Sequence, residues 1–159
     1  MSSYINKLLM TDNNRATILI RFVVGLVFFS EGIQKLIYPA LRGGGRFERI
    51  GIPFPEFNGY FVAGAEIIFG LMILIGLFTR FAAVPLIIIM LVALFTTKIP
   101  ILLGSEFLGF SLRELEHYGL LSMLHESRND LAMLFCSLFL LMRGGGARSI
   151  DKKLTSGIK

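Results

Sequence analysis

The chain has one cysteine, no tryptophan and two histidines in 159 residues, and each shortage closes off a kind of chemistry. Cys136 alone permits neither an intrachain disulfide nor a Cys-x-x-Cys relay, so a thiol oxidoreductase of that design is excluded. His117 and His125 lack the Cys or His spacing of a zinc site, which leaves no dedicated metal centre. The triplets Gly43-Gly44-Gly45 and Gly144-Gly145-Gly146 lack the Lys-Ser/Thr of a phosphate loop and predict turns. Without tryptophan, any aromatic belt rests on Tyr4, Tyr38, Tyr60 and Tyr118.

Charge is scarce as well. Charged residues make up 17% of the chain against 54% hydrophobic, and the mean hydropathy is +0.71. A soluble domain of this length must cover its outside with polar side chains, whereas a helix bathed in lipid need not. The length allows one domain, residues 1–159. A net charge of +5 would suggest nucleic-acid binding in a soluble protein, but here Lys and Arg flank apolar runs. They orient membrane helices and meet headgroups, so the partner implied is the lipid bilayer and not nucleic acid.

Four spans are expected, at about 17–38, 57–78, 81–98 and 125–142, in an all-α antiparallel bundle. Phe28 and Phe29 close the first apolar run where a cleaved leader needs small residues, so a retained span is expected. Pro39, the first glycine triplet and Gly51-Ile52-Pro53 predict a loop between spans 1 and 2. Thr79-Arg80 is so short a connection that spans 2 and 3 must be antiparallel neighbours, with Pro85 near the start of span 3. In the stretch 99–124, Ser111-Leu112-Arg113-Glu114 has the form of a capping box and predicts an interfacial helix or a re-entrant approach. The uninterrupted run Leu131–Met142 spans only if its helix begins near His125. Residues 1–16 and 147–159 are expected as cytoplasmic tails of a bacterial inner-membrane protein. With both ends inside, nine Lys and Arg fall on the cytoplasmic side against seven opposite.

Ionisable residues within spans carry the functional information, since each costs several kcal/mol unless paired, protonated or facing water. Glu31, Gln34 and Lys35 share one face of span 1, where an interfacial ion pair with a snorkelling lysine is the plain alternative to a site. Glu66 lies mid-span with no basic residue within a helical turn. Gly59, Ala63, Glu66 and Gly70 form one stripe of mostly small residues, which turns this carboxyl towards another helix. Asp130 opens the last apolar run, with Glu126 a turn earlier and His125 and Asn129 on a neighbouring stripe. Acids at a helix start are also favoured by the dipole alone. If Glu31, Glu66 and Asp130 face inward at similar depth, they make a polar pocket suited to proton-coupled work on a quinone or to a cationic group.

The ordered residues Arg21, Gly25-Leu26-Val27-Phe28, Gly32-Ile33-Gln34-Lys35-Leu36 and Gly51-Ile52-Pro53-Phe54-Pro55 carry a family likeness. It continues through Glu66, Gly70-Leu71, Leu74-Ile75-Gly76-Leu77-Phe78-Thr79-Arg80 and Gly144, Gly146, Ser149-Ile150-Asp151. Over about residues 15–153 the chain resembles the DoxX-like membrane proteins. The resemblance implies a four-helix membrane fold and an association with redox chemistry, some relatives being subunits of a thiosulfate:quinone oxidoreductase or members of oxidative-stress complexes. Glu31 stands where many relatives carry His, and Asp130 where they carry Glu.

The leading expectation is a membrane subunit supporting quinone-linked redox chemistry. Glu66, Glu31 and Asp130 act as the acids, and Gln34, Lys35, His125, Asn129 and Arg80 as binding and positioning groups. No cofactor resides in the chain itself on this reading, quinone being the ligand. The partners expected are a second subunit of a redox complex and a homo-oligomer. A non-enzymatic assembly or scaffold protein and a small-solute or proton pathway are the rival readings.

Overall fold

The computed structural model describes residues 9–156, so Tyr4, Lys7, Lys159 and the outer parts of both tails lie outside the described residues. The chain is all-α. The first long helix, α1 (Thr17–Ile37), is followed by two short helices, α2 (Pro39–Arg42) and α3 (Gly44–Ile50), and then by α4 (Pro55–Ile75). Helix α5 (Thr79–Ala93) passes through a wide i→i+5 turn at Leu94–Lys98 into α6 (Ile99–Leu103). An irregular segment then leads to α7 (Leu120–Arg143), and α8 (Ile150–Ser156) closes the described chain.

Three of these elements, Thr17–Ile37, Pro55–Ile75 and the continuous rod Thr79–Leu103, are long and apolar enough to cross a membrane. At 1.5 Å per residue, the 21 residues of α1 reach about 30 Å, the thickness of a hydrocarbon core. Helix α7 has the length, at 24 residues, but its first half carries His125, Glu126, Arg128, Asn129 and Asp130. Their outward faces confirm the solvent: Leu19, Phe22, Ile68, Leu71, Val84, Ile88 and Phe135 are exposed, while Arg21, Glu66, Thr79, Ser127 and Asp151 are buried. Apolar outside and polar within is the pattern of a bundle in lipid.

Helices α1 and α4 pack closely, as do α5 and α7, and a shared core of Val24, Phe28, Ile73, Ala82, Ala83, Leu86, Met133 and Leu140 joins the pairs. The stripe Gly59, Ala63, Glu66, Gly70 is buried along its length. A Cβ on Gly70 would stand 2.8 Å from the Phe29 amide nitrogen, so α1 and α4 approach only because that atom is missing.

The end of the bundle that carries residues 9–14 and α8 is fastened by charge. The buried Arg21 guanidinium donates to the carbonyls of Ile73 (2.9 Å) and Leu74 (2.6 Å) at the end of α4, and to those of Gly145 and Arg148. At the end of α4 the Leu74 carbonyl has no partner within its own helix, and Ile73 accepts also from the Gly76 amide. The Asp151 carboxylate accepts from the amides of Phe78 (2.6 Å) and Thr79 (2.9 Å) at the opening of α5. Gly76, between them, has φ +72, and a side chain there would collide with the Arg21 guanidinium. Residues 9–14 lie against this end too, through Asp12 N to Arg143 O and Thr155 Oγ1 to Leu9 O.

Three local expectations are corrected. The segment 39–56 is largely helical: Gly44 lies against Glu56 and Gly59, so the glycine triplet serves close packing of α3 on α4 as well as turning. Pro85 is the seventh residue of α5, beyond the first turn, and so deprives the Phe81 carbonyl of its helical donor. No helix lies between Leu103 and Leu120, and Ser111–Glu114 opens none. There the Leu115 amide donates to the Tyr118 hydroxyl, which donates to the Arg113 carbonyl, and Ser111 N bonds Ile50 O. The segment is held instead by Phe107 and Phe110, both edge-on to Phe95 at 5.6 and 6.1 Å.

Candidate functional site

A cavity of about 560 Å³ opens in the half of the bundle away from the termini, where α1 ends and α4 begins. Its walls are apolar where Val27, Phe28, Val62, Ile89 and Met133 contribute, and charged elsewhere. Glu31, Glu66 and Asp130 all line it, from three different helices, as do Lys35 and Asn129.

Helical spacing and close packing place these groups. Glu66 rides on the small-residue stripe of α4 and so is carried against α1, where Lys35 Nζ meets its Oε2 at 2.6 Å. Their side chains are 3% and 10% exposed, so this is a desolvated ion pair between helices. Glu31, one turn before Lys35, lies 3.7 Å from the same ammonium and 3.9 Å from Arg42. Exposure rises along this series, from Glu66 inside to Arg42 at the rim.

A second pair faces the same space. Lys98 Nζ lies 3.1 Å from Asp130 Oδ2, with side chains 11% and 22% exposed. Lys98 ends the wide turn, in which Thr96 and Thr97 hydroxyls donate to the Val92 and Ala93 carbonyls. One residue more per turn displaces the following side chain around the helix, and such turns recur at functional sites. Outward from Asp130, Glu126 pairs at 3.0 Å with Arg113, which is exposed. Each deep acid is thus held by a lysine from another helix, and the acids are not bonded directly to one another. Arg42, Arg46 and Asn58 complete the polar lining near the rim.

Arrangements of this kind can bind a polar head of either sign. The ammonium groups donate to carbonyl or anionic oxygens, and the carboxylates accept from donors or exchange protons. Among the described residues, no cluster of three His, Cys, Asp or Glu side chains could hold a metal ion.

Three other expected site residues sit elsewhere. Arg80 opens α5 at the opposite end of the bundle and donates to the Met142 carbonyl at 2.9 Å, so it anchors a helix end and cannot position a ligand here. His125 is exposed and bonds to Arg128 at 2.6 Å, one helical face away from the cavity. Gln34 is half-buried on α1 but is not part of the wall, because it is a third of a turn from Lys35. Conversely, Lys98, Arg46, Thr96 and Thr97 were not expected. Their one signal was a lysine closing a charge-free apolar run, and a wide turn cannot be read from residue spacing.

Comparison with known proteins agrees with this architecture. The DoxX family model matches residues 16–99, which run from the start of α1 to just past Lys98. The chain is 45% identical over 149 residues to the membrane protein Rv3486 of Mycobacterium tuberculosis, covering 94% of this chain and 87% of that one. It is 30% identical over 109 residues to CatD of Bacillus subtilis, whose name proposes an oxidoreductase, covering 69% of this chain and 75% of that one. No solved structure matches. With the family model and a near full-length relative in agreement, this membrane protein belongs to the DoxX family.

Proposed function

We propose that the protein is a membrane subunit that supports quinone-linked redox chemistry at the cavity between α1, α4, α5 and α7. The observation that carries this reading is the pair of lysine–carboxylate contacts, Lys35–Glu66 and Lys98–Asp130, lining one partly apolar cavity. Buried charges in lipid are expensive and are retained where a ligand or proton uses them. A quinone has two carbonyl oxygens that accept hydrogen bonds, and its reduction takes two electrons and two protons. Lys35 and Lys98 serve as donors to those oxygens, and Glu66 and Asp130 as nearby exchangeable proton sites. Asn129, Glu31 and Arg42 link these groups towards the surface. A partner subunit supplies the electrons. The distant likeness to CatD supports a redox setting and specifies no substrate.

The same reading puts the protein in the bacterial inner membrane with both ends in the cytoplasm, following the count of basic residues at the terminal side. The cavity then opens away from the cytoplasm.

Quinone reduction by the gently purified protein, together with whatever subunits accompany it, tests the proposal. Activity that falls in Glu66→Gln and Asp130→Asn supports it. Full activity in both variants removes these acids from the mechanism. Loss of partner recovery without any quinone effect favours an assembly role instead, in which the ion pairs only join helices.

A further inference from the structure

Lys98 lines two spaces. Besides the polar cavity, it lines a groove of about 310 Å³ formed with Leu91, Leu94, Phe95, Ile99, Leu102 and Met123. Apart from Lys98 this groove is wholly apolar, and Leu91, Phe95 and Leu102 are exposed, so in a bilayer it opens to lipid. Lys98 closes the wide turn at Leu94–Lys98 and is the residue common to both linings. Leu91, Leu94, Phe95, Lys98, Ile99 and Leu102 follow one helical stripe along the groove, while Val92, Ala93, Thr96 and Thr97 face the cavity.

We propose that the groove is a lateral entrance for a long-tailed quinone. Its carbonyl-bearing head passes Lys98 into the cavity, and its apolar tail stays in the groove against Leu94, Phe95 and Met123. This rests on the reading of the cavity as a ligand site and deepens it by assigning the route and the ligand's shape. Two features support this occupant. The groove and the cavity share one lining residue, the cation Lys98, which matches a polar head joined to an apolar chain. Lipid tails offer no hydrophobic gain, so a tail is held there by close packing, for which a shaped groove is required. The Lys98 ammonium, paired with Asp130 at 3.1 Å, exchanges a carboxylate for the entering oxygen. No covalent step is involved.

Two photoreactive probes in lipid nanodiscs test this. One is a decyl-tailed benzoquinone with a diazirine at the tail end, and the other is a phosphatidylglycerol with the same group in an acyl chain. Labelled residues are mapped by mass spectrometry in the wild type and in two groove-filling variants, Leu91→Trp and Leu102→Trp. A third variant, Lys98→Met/Asp130→Leu, removes both charges so that neither is left buried alone. Ile68→Trp, on an exposed face of α4, is the control. The proposal predicts quinone-probe labelling concentrated on Leu91–Leu102 and Met123, falling to about a tenth in all three variants and unchanged in the control. If only the phospholipid probe shows this pattern, the groove is a lipid site and the quinone entrance is overturned. Labelling spread evenly over the lipid-facing side chains, or insensitive to all three variants, overturns the entrance whatever quinone turnover shows.

Discussion

Lys35 on α1 and Glu66 on α4 are 2.6 Å apart across a helix interface, and neither side chain is more than a tenth exposed. A desolvated pair of this kind is a weak source of net stability, because the loss of hydration offsets the attraction, yet breaking it leaves a lone buried charge. Glu66→Leu or Lys35→Met alone should therefore cost about 3 kcal/mol. The double variant should be close to the wild type, a non-additivity that thermal unfolding in detergent would measure. If the double variant folds normally and loses ligand, the pair is present for function and not for stability.

The Arg21 clasp should behave in the opposite way. Its guanidinium satisfies the carbonyls of Ile73, Leu74, Gly145 and Arg148, and no other described side chain donates to them. Arg21→Met orphans the carbonyls of Leu74, Gly145 and Arg148, while Ile73 keeps the Gly76 amide, and should destabilise by about 3 kcal/mol. Arg21→Lys should recover only part of this, since one ammonium cannot copy the planar fork. Asp151→Ala exposes the Phe78 and Thr79 amides and should cost about 1 kcal/mol, as loss of a helix cap does. Unfolding midpoints of the three variants give the ranking, and ligand binding by the fraction still folded should be unaffected.

Gly70→Val places methyl groups where the Phe29 backbone already stands, so α1 and α4 must separate. A loss of about 1–3 kcal/mol is expected from such overpacking. Separation also lengthens the Lys35–Glu66 contact, so ligand binding should fall with stability. Gly64→Ala is the matched control, because nothing lies within 4 Å of a side chain there. Equal behaviour of the two variants would show that the close approach is unimportant.

Much of this was legible beforehand because lipid imposes simple rules. Four spans were expected, of which three form helices long and apolar enough to cross a membrane, and the stripe Gly59, Ala63, Glu66, Gly70 announced an inward face. An isolated mid-span glutamate required a partner from another helix, which Lys35 supplies. What escaped was set by tertiary geometry. Lys98 lines the cavity from the end of a wide turn that leaves no mark in residue spacing. Ser111–Glu114 has capping-box chemistry, but Tyr118 takes the backbone groups that a helix would need. Arg80 was grouped with the site on charge alone, whereas position along α5 puts it at the other end.

Orientation yields to labelling. In a Cys136→Ser background, Thr155→Cys places a single thiol on exposed α8, at the end shared with residues 9–14. A membrane-impermeant maleimide should label it in opened cells and not in intact ones. Labelling of intact cells would invert the assignment and open the cavity to the cytoplasm.

The most direct measurement is equilibrium binding of a long-tailed quinone to the purified protein in nanodiscs, followed from the quinone's own absorbance or its quenching of intrinsic tyrosine emission. Saturable binding that weakens by about tenfold or more in Lys35→Met/Glu66→Leu is the predicted result. Non-saturable uptake, identical in wild type and double variant, would show that quinone merely dissolves in the surrounding lipid and that this cavity does not hold it.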